Sequence, residues 1–297
     1  MSSITDTAPI PASRTTEGAH RRKPRARGGL VLTFVAWLVG IVFVLPVLWM
    51  LLTSLHSEPD AATNPPSLAA SLTLHGYQEF FGAGAGTTPW PALANSLSAS
   101  VTSTVLVLLL AIPAAYALSI RPVRKWTDVL FFFLSTKMLP VVAGLLPIYL
   151  FAQQAGLLDN IWLLIVFYTS MNLPIAVWMM RSFLAEVPVE MLEAAAVDGA
   201  GLIRTLRRVV APVVMPGIAA TALICFIFSW NELLFARVLT ATRAQTAPVY
   251  LTGFITSQGL FLAKVCAAAM VVSLPVLIAG FAAQDKLVQG LSLGAVK

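Results

Sequence analysis

Two runs in this sequence, Leu30 to Leu52 and Leu93 to Leu118, contain no Asp, Glu, Lys or Arg. About 20 consecutive apolar residues wound as a helix cross the roughly 30 Å hydrocarbon layer, where only a helix or a closed barrel satisfies its own backbone. Both runs exceed that length, and further apolar stretches follow. The chain therefore reads as an all-α polytopic membrane protein with six transmembrane helices, at 30–52, 93–118, 129–152, 161–180, 213–235 and 265–284. Composition agrees: 58% of residues are hydrophobic and 11% are charged, against about 25% charged in soluble domains. A single buried core does not need so much apolar residue, which argues against a soluble globular class.

The basic residues set the orientation, because loops rich in Lys and Arg stay in the cytoplasm. Residues 1–29 hold Arg14, Arg21, Arg22, Lys23, Arg25 and Arg27, and the 120–127 loop holds Arg121, Arg124 and Lys125. The 181–208 segment adds Arg181, Arg204, Arg207 and Arg208, and the end of the chain adds Lys286 and Lys297. The opposite loops hold only Arg237, Arg243 and Lys264. Fifteen against three predicts that both termini are cytoplasmic, as an even number of spans requires. Residues 1–29, rich at first in Ser, Thr, Ala and Pro, read as a disordered cytoplasmic tail. Residues 30–285 form the membrane domain, with an external loop at 53–92, and 286–297 form a cytoplasmic tail. The basic run before Leu30 resembles the start of a secretory signal, but the span is too long and lacks a small-residue cleavage pattern, so it reads as a retained helix.

A net charge of +6 scattered over separate loops makes no compact basic surface, so no nucleic-acid partner is expected. Cys225 and Cys266 lie in or beside apolar runs, which leaves no disulfide framework and no CxxC metal site. They face either lipid or the protein core. Every span contains proline (Pro46, Pro113, Pro140 and Pro147, Pro174, Pro216, Pro275), which bends a helix where neighbours satisfy the freed carbonyl.

The most informative stretch is 186–217. Pro188 suits a first helical turn, the next residues favour helix, and Glu190 and Glu193 sit near its positive end. Asp198-Gly199 then breaks the helix, and a basic amphipathic piece runs to the residues before Pro212. The pattern describes a short helix, a sharp turn and another helix outside the membrane, rigid enough to transmit a push. Within it stand Glu193-Ala194-Ala195, Gly199, Val209, Ala211 and Pro212. These residues resemble the signature of the membrane subunits of binding-protein-dependent ABC importers, the carbohydrate type related to the maltose system. That signature is Glu-Ala-Ala, three residues, Gly, nine residues, Ile, one residue, Leu-Pro; here Val209 replaces Ile and Ala211 replaces Leu. Ser229-Trp230-Asn231-Glu232 and the Gly290-to-Lys297 end extend the resemblance, which runs from about residue 30 to the end.

The resemblance implies an ABC type I importer permease fold whose Glu-Ala-Ala helix docks on a cytoplasmic ATPase. ATP-driven closure of two such ATPases would move the helices between inward-open and outward-open states. The ATPase-coupling residues it implies are Glu193, Ala194, Ala195, Asp198, Gly199 and Pro212. The chain has no Gly-rich loop ending in Gly-Lys-Ser/Thr, so it is expected to be non-catalytic, with no cofactor of its own and with ATP and Mg on the partner ATPases. The expected assembly is this chain, a homologous permease, two ATPase subunits and one external solute-binding protein in a lipid bilayer; a homodimer is the alternative.

Polar groups at membrane depth are candidates for the solute path, since exposure to lipid is expensive. They are Lys137, Asn172, Trp230, Asn231 and Glu232, with Tyr149 and Tyr168 weaker. Amide, carboxylate and ammonium groups hold hydroxyls while an aromatic ring takes the C–H face, the chemistry of a small carbohydrate. Ser135-Thr136-Lys137-Met138-Leu139-Pro140 and Gly259-Leu260-Phe261-Leu262-Ala263-Lys264 resemble the sorbitol/mannitol branch of these permeases, which implies a sugar alcohol, with other mono- or oligosaccharides as alternatives. An ion-coupled secondary transporter, which commonly has more spans or paired repeats, and a membrane scaffold without solute flux are the competing classes.

Overall fold

The computed structural model describes residues 28–63, 70–82, 88–120, 123–138, 140–256 and 259–294. The expected tail at 1–29 lies outside them, save Gly28 and Gly29, which begin the first helix. Contacts divide the chain into two units, 1–47 and 48–297. The first is represented by the start of α1 (Gly28–Ser54), an unbroken helix with Pro46 inside it.

The second unit contains the rest of α1, then α2 (Glu58–Ala61), α3 (His75–Phe80), α4 (Trp90–Ser119), α5 (Trp126–Ser135) and α6 (Val141–Gln154). There follow α7 (Ile161–Leu184), α8 (Val189–Val197), α9 (Leu202–Thr205), α10 (Ala211–Val213) and α11 (Met215–Trp230). Last come α12 (Leu234–Leu239), α13 (Ala247–Leu251), a two-residue antiparallel pair with Ile255 opposite Leu260, and α14 (Leu262–Gly294).

Three helices form the centre, and each buries a ridge of residues four apart. On α4 the ridge is Ala99, Ser103, Val107, Ala111 and Ala115; on α7 it is Leu164, Tyr168, Asn172, Ala176, Met180 and Leu184; on α11 it is Gly217, Thr221, Cys225 and Ser229. Side chains four apart line up as one inclined ridge, and a ridge of small residues lets a neighbouring backbone come close. The small ridges of α4 and α11 thus receive the larger side chains of α7. At Gly217 the approach is tight: an added Cβ would overlap the Phe183 ring and stand 2.8 Å from its Cβ. α14 packs on α11, and α3 packs on α14.

Four helices are individually long and apolar enough to cross a membrane: residues 31–54 of α1, α4, α7 and residues 262–286 of α14. Two bent pairs raise the number to as many as six. The continuous third span expected at 129–152 is instead α5, a 3₁₀ turn at Thr136–Met138 and α6, two helical pieces at 86°. Pro140 contributes to the break: it stands at ψ 113°, extended, ahead of α6. The fifth span, expected over 213–235, ends at Trp230, because Asn231 leaves the helix and Glu232 starts a new one. The last helix outruns its expected 265–284 limits, so the segment read as a tail from 286 is helical to Gly294.

Candidate functional site

The element with a functional shape is the turn between α7 and α11. Pro188, extended at ψ 134°, precedes α8, and Ala195 and Val187 are its buried anchors. At its other end Ala200 N–H donates to the Ala195 carbonyl at 2.9 Å and Gly199 N–H to the Ala196 carbonyl at 3.1 Å. That crossed pair, with Gly199 at φ +66°, is the Schellman closure, which wants a residue without Cβ at the left-handed position. The expected break at Asp198-Gly199 is where the helix ends.

The chain then re-enters helix at Leu202. It widens into a π turn over Leu206–Val210, passes through α10, and bends by 83° at Val214 into α11. The second piece was expected to stop before Pro212; it continues through it, since a proline in the first turn of α10 loses no needed donor. Val210 and Val214 are buried beside Met180 and Leu184 of α7, so the bend is packed on the central ridges. Glu190, Glu193, Ala194 and Ala196 are exposed, and Val197 and Ile203 are 88% and 80% exposed. Apolar side chains this bare beside carboxylates are the features of a docking surface.

The candidates at membrane depth have separate surroundings. Asn172 is fully buried; its Nδ2 donates to the Tyr168 carbonyl at 2.9 Å and to Ser229 Oγ at 3.0 Å, and Ser229 Oγ lies 3.1 Å from Ser103 Oγ. The three ridges are therefore joined by one polar seam, with Asn172 Oδ1, Ser100 Oγ and Thr104 Oγ1 unpartnered beside it. Asn172→Ala is expected to cost about 1–3 kcal/mol by removing a buried amide from that seam. Ser229→Ala should cost less, since Asn172 keeps the Tyr168 carbonyl. Thermal unfolding of the purified assembly measures both, and equal effects would contradict this bonding scheme.

Trp230 is 2% exposed, stacks on Phe226 and donates Nε1–H to the Val272 carbonyl at 3.0 Å, which ties α11 to α14. Asn231 is exposed and its Nδ2 caps the Ile227 carbonyl. Glu232 accepts from the N–H groups of Phe235 and Ala236, fixing the start of α12. Lys137 is exposed in the 3₁₀ turn between α5 and α6. Tyr149 is partly buried and Tyr168 almost completely. Cys225 is buried in the core and Cys266 half-buried, both as free thiols.

Sequence reasoning missed the acids that bind backbone. Asp159, at φ +56°, accepts through its carboxylate from the N–H groups of Ala241, Thr242, Arg243 and Ala244, at 2.9 to 3.2 Å. Glu58 likewise accepts from Ala263 and Lys264 at the start of α14. The signal for Asp159 was faint: one acid ahead of Asn160, which caps α7 through Trp162 N–H. Partial burial opposes ionisation of Asp159, but the four N–H donors outweigh it and hold the carboxyl at about 2.

The folded value thus lies below the ordinary 3.8, so the carboxylate's contribution to stability is whole above pH about 4 and is lost as pH falls through about 2. Asp159→Ala should lower the melting temperature by a few degrees at pH 7 and abolish that acid-side dependence. A variant that melts with wild type from pH 7 down to pH 3 would refute it.

The chain is similar to known proteins along most of its length. Residues 108–292 match the family described as "Binding-protein-dependent transport system inner membrane component". The chain is 37% identical over 268 residues to a probable ABC transporter permease protein, y4oR, of Sinorhizobium fredii, covering 90% of this chain and 95% of that one. It is 32% identical to the diacetylchitobiose uptake system permease protein DasC of Streptomyces coelicolor, again covering 90% and 95%. Among solved structures, a bacterial ABC transporter involved in import of the acidic polysaccharide alginate superposes with a TM-score of 0.70, at 22% identity, covering 87% of this chain and 96% of that one. The chain belongs to the binding-protein-dependent transport system inner membrane components. It is a multi-pass inner-membrane protein and a non-catalytic transport subunit.

Proposed function

We propose that this chain is the permease subunit of an ATP-driven importer for a mono- or oligosaccharide, with both termini in the cytoplasm. The reading rests above all on the turn at 189–213, a closed, core-anchored joint that leaves Val197, Ile203, Glu190 and Glu193 exposed. In it Glu193 meets a basic residue of the ATPase and exposed Ala194 allows close packing, while buried Ala195 fastens the helix to the core. Asp198, Gly199 and Pro212 shape the turn and its continuation. The partners are a homologous permease, two ATPases that bind ATP and Mg, and an external solute-binding protein.

A sugar alcohol is the less supported cargo. One relative is named for a diacetylchitobiose uptake system, so an oligosaccharide comes before sorbitol or mannitol. Of the depth candidates, Asn172 with its Ser229 and Ser103 partners and exposed Lys137 fit a role in the moving path, while Trp230 and Glu232 are already committed to holding helices. Asn231 stays a candidate at the end of α11.

Uptake by vesicles holding the reconstituted complex and its binding protein tests the reading, with diacetylchitobiose, trehalose, maltose, sorbitol and mannitol offered in turn. ATP-dependent uptake of a saccharide is the expected result. Uptake of sorbitol or mannitol alone restores the sugar-alcohol reading, and uptake driven by an ion gradient without ATP overturns the importer.

A further inference from the structure

The last turns of α1, the short α2 and the first turns of α14 line a cavity of about 330 Å³. His56 stands in its wall, 3% exposed, and its Nε2 has no hydrogen-bond partner. A buried polar atom left unpaired costs about 1–3 kcal/mol, and a native fold that keeps one has a reason for it. Thr53 and Asp60 line the same space, with Trp49, Leu262 and Cys266 as its less polar side.

These groups are held in place by local bonds. Ser57 Oγ donates to Asp60 Oδ2 at 2.6 Å and accepts from Asp60 N–H. The Thr53 hydroxyl donates to the Trp49 carbonyl at 2.9 Å, and the neighbouring Glu58 clamps α2 to the start of α14.

The lining selects among ligands. No Lys or Arg belongs to it and Asp60 does, which disfavours an anion. Among the described residues no three His, Cys, Asp or Glu side chains gather to hold a metal ion. An imidazole nitrogen, a carboxylate, a hydroxyl and an indole in one lining suit a neutral ring with hydroxyls on its edge and C–H groups on its face. The volume is at the lower end of small-ligand sites, enough for one ring rather than a chain. We infer that this cavity is a saccharide site that receives a single ring of the cargo at the end of α1, on the face the charge pattern puts outside. The inference rests on the sugar-importer reading.

Cys266 supplies a native reporter within the cavity, while Cys225 is fully buried. In the assembled importer, in nanodiscs, its reaction with methyl methanethiosulfonate is followed by peptide mass spectrometry, with glucose, trehalose or diacetylchitobiose added. The expected result is that one of these slows the reaction about tenfold at ten times its Kd. His56→Gln and Thr53→Val should remove that protection while leaving the melting temperature within a few degrees of wild type. Absence of protection by every saccharide, equal protection in His56→Gln, protection by phosphocholine instead, or a thiol that never reacts would each overturn the site. ATP-dependent saccharide uptake by the same preparation separates that failure from failure of the importer reading.

Discussion

Gly217→Ala is expected to destabilise the protein by about 1–3 kcal/mol, the usual cost of forcing a methyl group into a filled core, and Gly217→Val to prevent assembly. The reason is local. α11 crosses α7 where Phe183 lies against the Gly217 backbone, and an added Cβ would overlap both the ring and the Cβ of Phe183. Rotation of the ring alone does not relieve this, because the Phe183 Cβ is fixed by its own helix. The double variant Gly217→Ala, Phe183→Ala should lose less than the sum of the two single losses, the non-additivity expected of residues in contact. Thermal stability of the detergent-purified assembly decides it. A Gly217→Ala protein that melts with wild type would mean that α7 and α11 do not approach as described.

The second large effect is expected at Gly199. The space around its missing Cβ is open within 4 Å, so the constraint there is the backbone at φ +66° and not crowding. A left-handed conformation costs an ordinary residue about 1–2 kcal/mol, and a β-branched one is a true outlier there, whereas Asn tolerates it. Gly199→Val should therefore open the Schellman closure and lower the population of the closed turn by about five- to thirtyfold. Gly199→Asn should keep most of it. If the turn couples to an ATPase, binding-protein-stimulated ATP hydrolysis in reconstituted vesicles falls in the Val variant and survives in the Asn variant, with both inserted normally. Equal stimulation in wild type and Gly199→Val would sink the coupling assignment.

What could be read from the sequence depended on how local the cause was. Long runs without acidic residues placed α4 and α7, although α7 outruns the expected end at 180 through Arg181 to Leu184, and the end of α8 follows from Asp198-Gly199, because a glycine just past a helical run acts within one turn. The break of the third span was less legible. Lys137 and Pro140 were both visible there, yet proline is common inside continuous membrane helices, as Pro113 in α4 and Pro174 in α7 show. The end of α11 at Trp230 depends on Glu232 choosing the N–H groups of Phe235 and Ala236 over solvent, a choice between two local fates that composition does not rank.

The candidate site divides in the same way. Residues 186–212 carried a spacing that could be checked one residue at a time, whereas the seam from Ser103 through Ser229 to Asn172 joins residues 126 and 57 apart in sequence. Serines on apolar helices are too common for any one of them to announce such a bond. Asp159 was illegible for a similar reason: its partners lie 82 to 85 residues away and are backbone groups, which leave no trace in side-chain identity.

Fastening through backbone amides shapes how this protein can vary. Asp159 and Glu58 each hold another piece of chain by its amide hydrogens, so the held segments, such as 241–244, contribute shape and not identity. Apart from buried Ala244, their side chains are free to change with little effect on the fastening, whereas inserting or deleting one residue shifts every amide out of register and undoes it. The two kinds of change act on the same four residues with opposite severity, and a library mixing substitutions with single-residue deletions across 241–244 would separate them in one selection.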